Sequence, residues 1–329
     1  MSLYPLKFTS IPKEKIWGGN RLNTILNKEF DPNVKTGESW EISGLEGDLS
    51  VVKNGFLQGN DLEELIEIYM GELVGDKVYE QFGLEFPLLI KFLDASENLS
   101  IQVHPDNEFA LEKHKAYGKT EMWYIIESEK DSEIMLGFNR EMDKNLFLDS
   151  IQNGNLPELI NKEKAESDTC YLIPSGRIHA IGKGVLLAEI QQTSDINYRI
   201  YDWNRKDSEG NERELHLNLA KQVLDYTYEK KHQTDFESKI NESSELVKCP
   251  FFTTNILEFN KAIENDYSNL DSFIIYICLE GNCDIITEDE ESVSLVKGET
   301  ILIPASLNNL TLTPKQNTKL LEVFIQSEQ

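Results

Sequence analysis

Short apolar segments separated by polar turns dominate the hydrophobic pattern of this 329-residue chain. Segments of this length, enriched in β-branched and aromatic residues and bounded by Gly, Asn and Asp, are typical of strands. In the first 200 residues the predicted strands lie at 3–10, at the end of 36–43, and at 86–95, 99–104, 121–128, 132–138, 170–174 and 185–191.

Four segments have apolar residues at helical spacing and flanking residues that can start or stop a helix. They lie near 61–82, which Asp61 can cap, 105–117, which begins at Pro105, 142–165, which is interrupted at Gly154 and Pro157, and 214–228. The charged stretch that follows, 229–245, is interpreted as a linker.

The last 80 residues contain almost nothing but short strands and turns, a pattern that favours a β-sandwich or barrel. The predicted strands are 251–259, 272–280, 283–287, 292–296, 300–304, 309–313 and 319–325. We therefore expect a mostly β protein with two β-barrels. The first domain, 1–245, carries the helical segments, and the second domain is 246–329.

The charge balance excludes one class of partner. The chain has a net charge of −26 and no run of Lys and Arg, whereas nucleic acids are bound by clustered cations. We expect neither a signal peptide nor a membrane-spanning helix, because no segment has the required length of apolar residues. The four cysteines lack CxxC spacing, which predicts unpaired thiols in a cytoplasmic protein.

Four residues form a candidate metal site. Gln102 and His104 are two positions apart in a predicted strand and therefore face the same side. Glu121 begins a later strand, and His179 follows a turn. Two imidazoles, one carboxylate and one amide oxygen suit zinc and leave room for water or substrate. The residue types alone leave a second interpretation open, in which these are ordinary half-buried side chains.

An iron site is less consistent with this set. Iron oxygenases use two His and one carboxylate and keep other positions open, and Gln102 would occupy one of them. The remaining histidines, His114, His216 and His232, lie among charged residues on predicted helices or in the linker, and we expect them to be structural.

The order QxH, E and PxGxxH resembles the two motifs of the cupin superfamily, a small β-barrel with metal ligands on its inner strands. More narrowly, the chain resembles type I phosphomannose isomerases of the short bacterial form. The segments that carry this resemblance are IWGG, GESWEIS, FPLLIKFLDASENLSIQVHPD, GKTEMWYII, IPSGRIHAIG and TSDINYRIYDWNR. The similarity is close from residue 5 to about 205 and loose in the second barrel, which has no histidine. Thr120 stands where the family often has Pro.

The resemblance implies two cupin-type barrels, one zinc ion per chain and the interconversion of mannose 6-phosphate and fructose 6-phosphate. The positions that match the family's zinc ligands are Gln102, His104, Glu121 and His179. The positions that match its active-site residues are Arg199, Lys119, Glu189, Lys91 and Asp195. Arg199 stays protonated and suits an enediolate or a phosphate.

The sequence leaves the catalytic base open between Lys119 and either Glu189 or Asp195. It also leaves two other functions open. One is a non-catalytic, metal-containing cupin that binds a sugar phosphate, and the other is an iron-dependent cupin oxidoreductase. The partner expected in each isomerase interpretation is a small phosphorylated hexose. The oligomeric state cannot be predicted.

Overall fold

The computed structural model describes residues 3–206 and 209–326. These residues form 22 strands and seven α-helices, which confirms the expectation of a mostly β protein. No helix among the described residues is both long and apolar enough to cross a membrane.

The strands are β1 Leu6–Lys7, β2 Ile11–Gly19, β3 Thr36–Ile42, β4 Leu88–Ala95, β5 Ile101–Val103, β6 Glu121–Ser128, β7 Glu133–Phe138, β8 Ile160–Lys164, β9 Cys170–Ile173, β10 His179–Ile181, β11 Val185–Gln192, β12 Tyr198–Tyr201, β13 Gln233–Thr234, β14 Ser243–Lys248, β15 Thr253–Phe259, β16 Ile263–Asp266, β17 Ile274–Glu280, β18 Asn282–Thr287, β19 Ser292–Val296, β20 Thr300–Ile303, β21 Asn309–Pro314 and β22 Thr318–Phe324. The helices are α1 Arg21–Thr24, α2 Leu62–Tyr69, α3 Gly71–Val74, α4 Asp76–Phe82, α5 Asn107–His114, α6 Lys144–Asn153 and α7 Leu217–Val223.

The strands form four antiparallel sheets that stack in sequence. The five-stranded sheet has the order β12-β5-β10-β7-β8, and the seven-stranded sheet has the order β13-β9-β6-β11-β4-β3-β2. The six-stranded sheet has the order β1-β20-β17-β22-β15-β14, and the four-stranded sheet has the order β16-β21-β18-β19. Each of these sheets therefore has one or two faces to bury against a neighbour.

Four apolar cores show how the sheets are layered. One core lies between the five- and seven-stranded sheets, and another lies between the six- and four-stranded sheets. The largest core joins the outer faces of the seven- and six-stranded sheets and includes the apolar sides of α2, α3 and α4. Helices α6 and α7 cover the outer face of the five-stranded sheet. The two sheet pairs are therefore packed back to back.

The predicted helix near 61–82 is three short helices. Asp61 starts α2 with a capping box, in which its side chain accepts from Glu64 N and the Glu64 side chain accepts from Asp61 N. The breaks fall at Met70, with φ of 46°, and at Gly75, with φ of 99°, because a left-handed residue cannot continue an α-helix. The predicted helix 105–117 is present as α5.

Two helix predictions extend too far. Of 142–165, only α6 and a 3₁₀ turn at Leu156–Glu158 are helical, and 160–164 is strand β8. Gly154, in the left-handed conformation, ends α6, and Ile160 then turns its side chain into the core while the polar residues of β8 face outward. Of 214–228, only α7 is helical.

The predicted linker 229–245 is part of the folded structure. It contains β13, which pairs with β9, and the beginning of β14, which pairs with β15. The expected domain boundary after residue 245 falls inside β14, and β1 pairs with β20 of the six-stranded sheet. The division into 1–245 and 246–329 stays a prediction.

Candidate metal centre and active site

The five-stranded sheet supplies one wall of the site. In the register of β12, β5 and β10, Arg199 lies opposite Gln102, and Gln102 lies opposite His179. Residues directly opposite each other in an antiparallel pair point to the same face, so these three side chains form a row. Because His179 and Leu136 also pair, and Leu136 belongs to the core between the two sheets, the row faces the seven-stranded sheet.

The seven-stranded sheet supplies the opposite wall. The register places Trp40, Lys91, Glu189 and Trp123 side by side on β3, β4, β11 and β6. Glu121 is two residues before Trp123 and therefore shares its face. The rings of Trp123 and His179 meet edge to face at 5.4 Å between centroids, which shows that the two walls are in contact.

Three ligand atoms converge between the walls. One atom from each of His104, Glu121 and His179 lies within 4.8 Å of the other two, and all three residues are buried. The Nε2 atom of His104 is 3.5 Å from one Glu121 oxygen, and the Nε2 atom of His179 is 3.4 Å from the other. Neither carboxylate oxygen accepts a hydrogen bond, although the ammonium of Lys119 forms an ion pair with Oε2 at 2.6 Å. A buried carboxylate without hydrogen bonds is costly unless a cation balances it.

The tautomers of both histidines are fixed from behind. The Nδ1–H of His104 donates to the carbonyl of Ile196 at 2.9 Å, and that of His179 donates to the carbonyl of Arg177 at 2.8 Å. Both Nε2 lone pairs consequently point toward Glu121. Burial is the largest influence on both rings: it lowers the pKa of His104 to about 3 and also lowers the pKa of His179. Both imidazoles are therefore neutral, as metal ligands must be.

Gln102 lies beside the same point. Its Nε2 atom is 3.2 Å from Nε2 of His179. Rotating the terminal amide by half a turn would present the amide oxygen instead, and that oxygen is the atom that coordinates metals. Two neutral imidazoles, one carboxylate and one amide fit a divalent cation that accepts nitrogen and oxygen ligands. The donor set on the page is therefore compatible with zinc.

A group of buried charges extends from the candidate metal site along the seven-stranded sheet. Glu189 Oε1 is 3.2 Å from Lys91 Nζ and 3.9 Å from Lys119 Nζ, and Glu189 Oε2 accepts a hydrogen bond from Trp123 at 3.0 Å. Burial raises the pKa of Glu189. Burial also disfavours the charged form of Lys91, but the carboxylates of Glu189 and Glu38 outweigh it and raise the pKa of Lys91. Lys91 therefore remains an ammonium group.

Glu38 and Trp40 belong to this group and were missed in the sequence. Glu38 Oε2 accepts a hydrogen bond from Trp40 Nε1 at 2.7 Å and lies 3.8 Å from Lys91 Nζ. Burial acts to raise the pKa of Glu38, yet the Lys91 and Lys15 cations together lower it to about 2. Their spacing of two in β3 was an available signal, since it puts both side chains on one face.

The remaining candidate residues lie at the edge of the site. Arg199 is half-buried, its Nη1 donates to the carbonyl of Glu214 at 2.8 Å, and its buried Nε has no hydrogen-bond partner. Burial is the main cause that lowers the pKa of Arg199, followed by the nearby charge of Arg213. Asp195 is exposed, and its carboxylate accepts a hydrogen bond from Asn197 at 3.3 Å. The structure therefore does not bring Asp195 into the buried group.

The three other histidines have structural contacts. His114 Nε2 is 2.6 Å from the hydroxyl of Tyr198, and His216 Nδ1 accepts from the backbone N–H of Arg199 at 3.0 Å. His232 is buried, and its Nδ1 is 2.7 Å from Nη1 of Arg177.

Comparison with known proteins places this chain in a family. Residues 5–142 match the family described as phosphomannose isomerase type I, catalytic domain, and residues 242–321 match mannose-6-phosphate isomerase, cupin domain. Mannose-6-phosphate isomerase ManA of Bacillus subtilis (strain 168) is 36% identical over 321 residues, which cover 95% of this chain and 96% of that protein. The chain belongs to the type I phosphomannose isomerase family.

Other relatives of this family agree. The mannose-6-phosphate isomerase of Streptococcus mutans is 36% identical over 309 residues, covering 93% of this chain and 94% of that protein. A crystal structure of the Bacillus subtilis mannose 6-phosphate isomerase has a TM-score of 0.87 at 33% identity and covers 98% of this chain and 99% of that chain. A mutant of phosphomannose isomerase from Salmonella typhimurium, with a TM-score of 0.81 at 15% identity over 99% and 100% of the two chains, shows the shared fold alone.

These matches confirm three expectations from the sequence. The resemblance to type I phosphomannose isomerases is correct, the fold is mostly β and of the cupin type, and the chain is an enzyme of the mannose-6-phosphate isomerase family. The roles of the individual site residues, the identity of the metal and the mechanism are proposals, which follow.

Proposed function

We propose that this chain is a zinc-dependent aldose–ketose isomerase that interconverts mannose 6-phosphate and fructose 6-phosphate. The observation that carries the proposal is the convergence of two neutral imidazole Nε2 atoms on a buried Glu121 carboxylate that accepts no hydrogen bond. The relatives described as mannose-6-phosphate isomerases, which cover nearly the whole chain, support the substrate. Gln102, His104, Glu121 and His179 would hold the zinc ion.

The reaction moves a proton between C2 and C1 of the open sugar through an enediol. It requires a group that carries the proton and groups that stabilise negative charge on the adjacent oxygens. When bound, zinc supplies a Lewis acid that polarises these oxygens and stabilises their charge. All other requirements fall to side chains of the two walls.

Glu189 is the proton carrier that the geometry supports best. Its pKa is raised by burial, which brings a carboxyl closer to the neutral range where acid–base catalysis is efficient. It is also within 3.9 Å of Lys119, so a proton can pass between the two side chains. Lys119 is the competing candidate because it lies beside Glu121 and His104. Asp195 is exposed and is the weakest of the three.

Lys91 and Arg199 would stabilise negative charge. Lys91 keeps its ammonium in the buried group, where a fixed cation is worth more than in water. Arg199 lies in the same cross-strand row as Gln102 and His179, and its Nε has no partner inside the protein. A guanidinium with a free donor suits the phosphate or an enediolate oxygen.

We also propose that the enzyme works in the cytoplasm. Cys170, Cys249, Cys278 and Cys283 are all unpaired, although three of them are buried in β-rich cores where a disulfide could have formed. Unpaired thiols are typical of reducing compartments.

A substrate-specificity assay with a metal analysis tests the proposed function. The purified enzyme should contain one zinc ion per chain and convert mannose 6-phosphate, but neither glucose 6-phosphate nor free mannose. Dialysis against a strong chelator should abolish turnover, and added zinc should restore it, because the ion provides several kcal/mol of charge stabilisation.

Two outcomes would contradict the proposal. A zinc-loaded protein that binds mannose 6-phosphate without converting it would be a sugar-phosphate-binding cupin. A purified protein that contains iron and no zinc would support the oxidoreductase alternative.

A further inference from the structure

Arg177 connects the candidate metal site to a distant part of the chain. Its backbone carbonyl accepts the Nδ1–H of His179 at 2.8 Å. Its guanidinium forms two parallel hydrogen bonds with Glu229, from Nη1 to Oε2 at 2.9 Å and from Nη2 to Oε1 at 2.6 Å. This bidentate geometry fixes the direction of the side chain as well as its charge.

The guanidinium of Arg177 is held on more than one side. Its side chain is 8% exposed, and Nη1 also lies 2.7 Å from Nδ1 of His232. Burial, followed by the charge of Arg177, lowers the pKa of His232, so the ring is neutral and its Nδ1 can accept from Arg177. The hydrogen bond from Arg177 is likewise the main cause that lowers the pKa of Glu229.

The segment that carries Glu229 and His232 is itself anchored. The backbone N–H of His232 donates to Glu163 Oε1 at 3.0 Å, next to strand β8. The His232 ring fills the space beside Gly137, where an added Cβ would lie 2.7 Å from the ring and where φ is +66°. Asp225 N donates to the carbonyl of Gly176 at 2.9 Å. The segment therefore forms a fixed support for the turn that precedes His179.

The opposite side of the same turn contacts the other histidine ligand. Gly176 N donates to the carbonyl of His104 at 2.8 Å, and Gly137 N donates to the carbonyl of Ile178 at 2.8 Å. The position of the Arg177 carbonyl thus depends on backbone contacts within the sheet and on one side-chain anchor outside it.

We propose that the Arg177–Glu229 ion pair positions the metal ligand His179, by fixing the backbone carbonyl that orients its imidazole ring. The inference rests on the proposed zinc site. Arg177 and Glu229 are positioning residues, since neither side chain reaches the ligand atoms. Groups that orient a metal-bound histidine usually change metal affinity by about 10–100-fold when they are altered.

Zinc affinity separates positioning from general stabilisation. No side-chain substitution removes the carbonyl of Arg177, so a change in affinity on altering Glu229 must act through the orientation of that carbonyl. We expect Glu229→Gln, which loses the charge but keeps the shape, to bind zinc about tenfold more weakly in competition with a chromogenic chelator. The visible spectrum of the cobalt-substituted variant should also shift, because it reports ligand geometry.

Glu299→Gln is the matched control. It breaks another partly buried ion pair, between Glu299 and Lys7 at 2.5 Å, where β1 joins the six-stranded sheet away from any ligand. Both variants should lose some thermal stability, but only Glu229→Gln should lose zinc affinity. Unchanged zinc affinity and cobalt spectrum in Glu229→Gln, or equal losses in both variants, would overturn the inference. Failure of the unaltered enzyme to bind zinc would instead overturn the proposed function.

Discussion

The buried charges around the site do not balance by themselves. When ionised, Glu38, Glu121 and Glu189 carry three negative charges, and Lys91 and Lys119 carry two positive ones. Unbalanced buried charge is costly, because low-dielectric surroundings strengthen every interaction. A dication at the neutral histidines would turn a net charge of −1 into +1. That sign suits an anionic sugar phosphate in a protein whose overall charge is −26.

Glu189 offers a test at the residue scale. If it carries the proton, Glu189→Gln should lower kcat by about 10²–10⁴-fold while zinc content stays at one per chain. Steady-state kinetics with metal analysis of the same sample measures both.

Glu41→Gln is the comparison variant for Glu189. Glu41 is also buried and also paired with a lysine, Lys28 at 2.7 Å, but it accepts from Ser39, on the opposite side of β3 from Trp40. This variant should lose stability and keep kcat. A Glu189→Gln enzyme with ordinary turnover would remove Glu189 from the proton path and leave Lys119 as the candidate.

Residue identity made part of this site predictable. Gln102 and His104 are two positions apart beside a short strand, and histidines are so few that each could be considered separately. Glu38 and Trp40 were missed because every residue of β3 is buried, so polarity does not distinguish its two faces. Only the pairing of Trp40 with Lys91 on β4 reveals which face belongs to the site.

At the scale of elements, strands β17 and β22 place a polar network inside the second sheet pair. Tyr276 lies opposite Glu322, the hydroxyl of Tyr267 contacts both of these side chains, and Glu322 Oε2 also accepts from Ser243 and Asn255 at 2.9 Å each. The carboxylate is therefore fully hydrogen-bonded without a metal. This network fits a structural role for the second pair of sheets.

The network predicts a weaker enzyme at alkaline pH. Burial, with the charge of Glu322 as a further cause, raises the pKa of Tyr267 and Tyr276 well above the usual value near 10. The unfolded chain therefore loses these protons first. The stability that depends on them is complete below about pH 10 and decreases as the pH rises above it.

Tyr267→Phe isolates this effect. The variant should lose about 1–3 kcal/mol at neutral pH, because Glu322 loses a buried donor. Its free energy of unfolding, measured by urea titration, should then fall less steeply than that of the unaltered protein between about pH 9 and 11. Parallel pH curves for the two proteins would contradict this account of the network.

The elements that sequence missed share one property. Strands β8, β13 and β14 lie at sheet edges and are rich in polar residues, so they lack the apolar pattern that identifies a strand. Their pairing with β7, β9 and β15 creates them, and such contacts between distant residues cannot be inferred from local pattern. Central strands such as β4, β6 and β11 were predicted correctly because apolar residues dominate them.

At the scale of the whole molecule, the layering explains why the site is rigid. The seven-stranded sheet is buried on both faces, by the metal-site wall on one side and by the core shared with the six-stranded sheet on the other. Side chains on such a sheet cannot shift without disturbing both cores. The second sheet pair, which has no histidine, therefore supports the wall that carries Glu121, Lys91 and Glu189.

Anomalous X-ray scattering tests the central claim most directly. A crystal of the purified enzyme, measured on both sides of the zinc absorption edge, should give one strong peak per chain, bonded to Nε2 of His104, Nε2 of His179 and a Glu121 oxygen. The expected metal–ligand distances are about 2.0–2.2 Å, with the Gln102 amide as a further ligand. A fully active crystal preparation with no zinc peak between these side chains, or with its zinc bound elsewhere, would contradict the account.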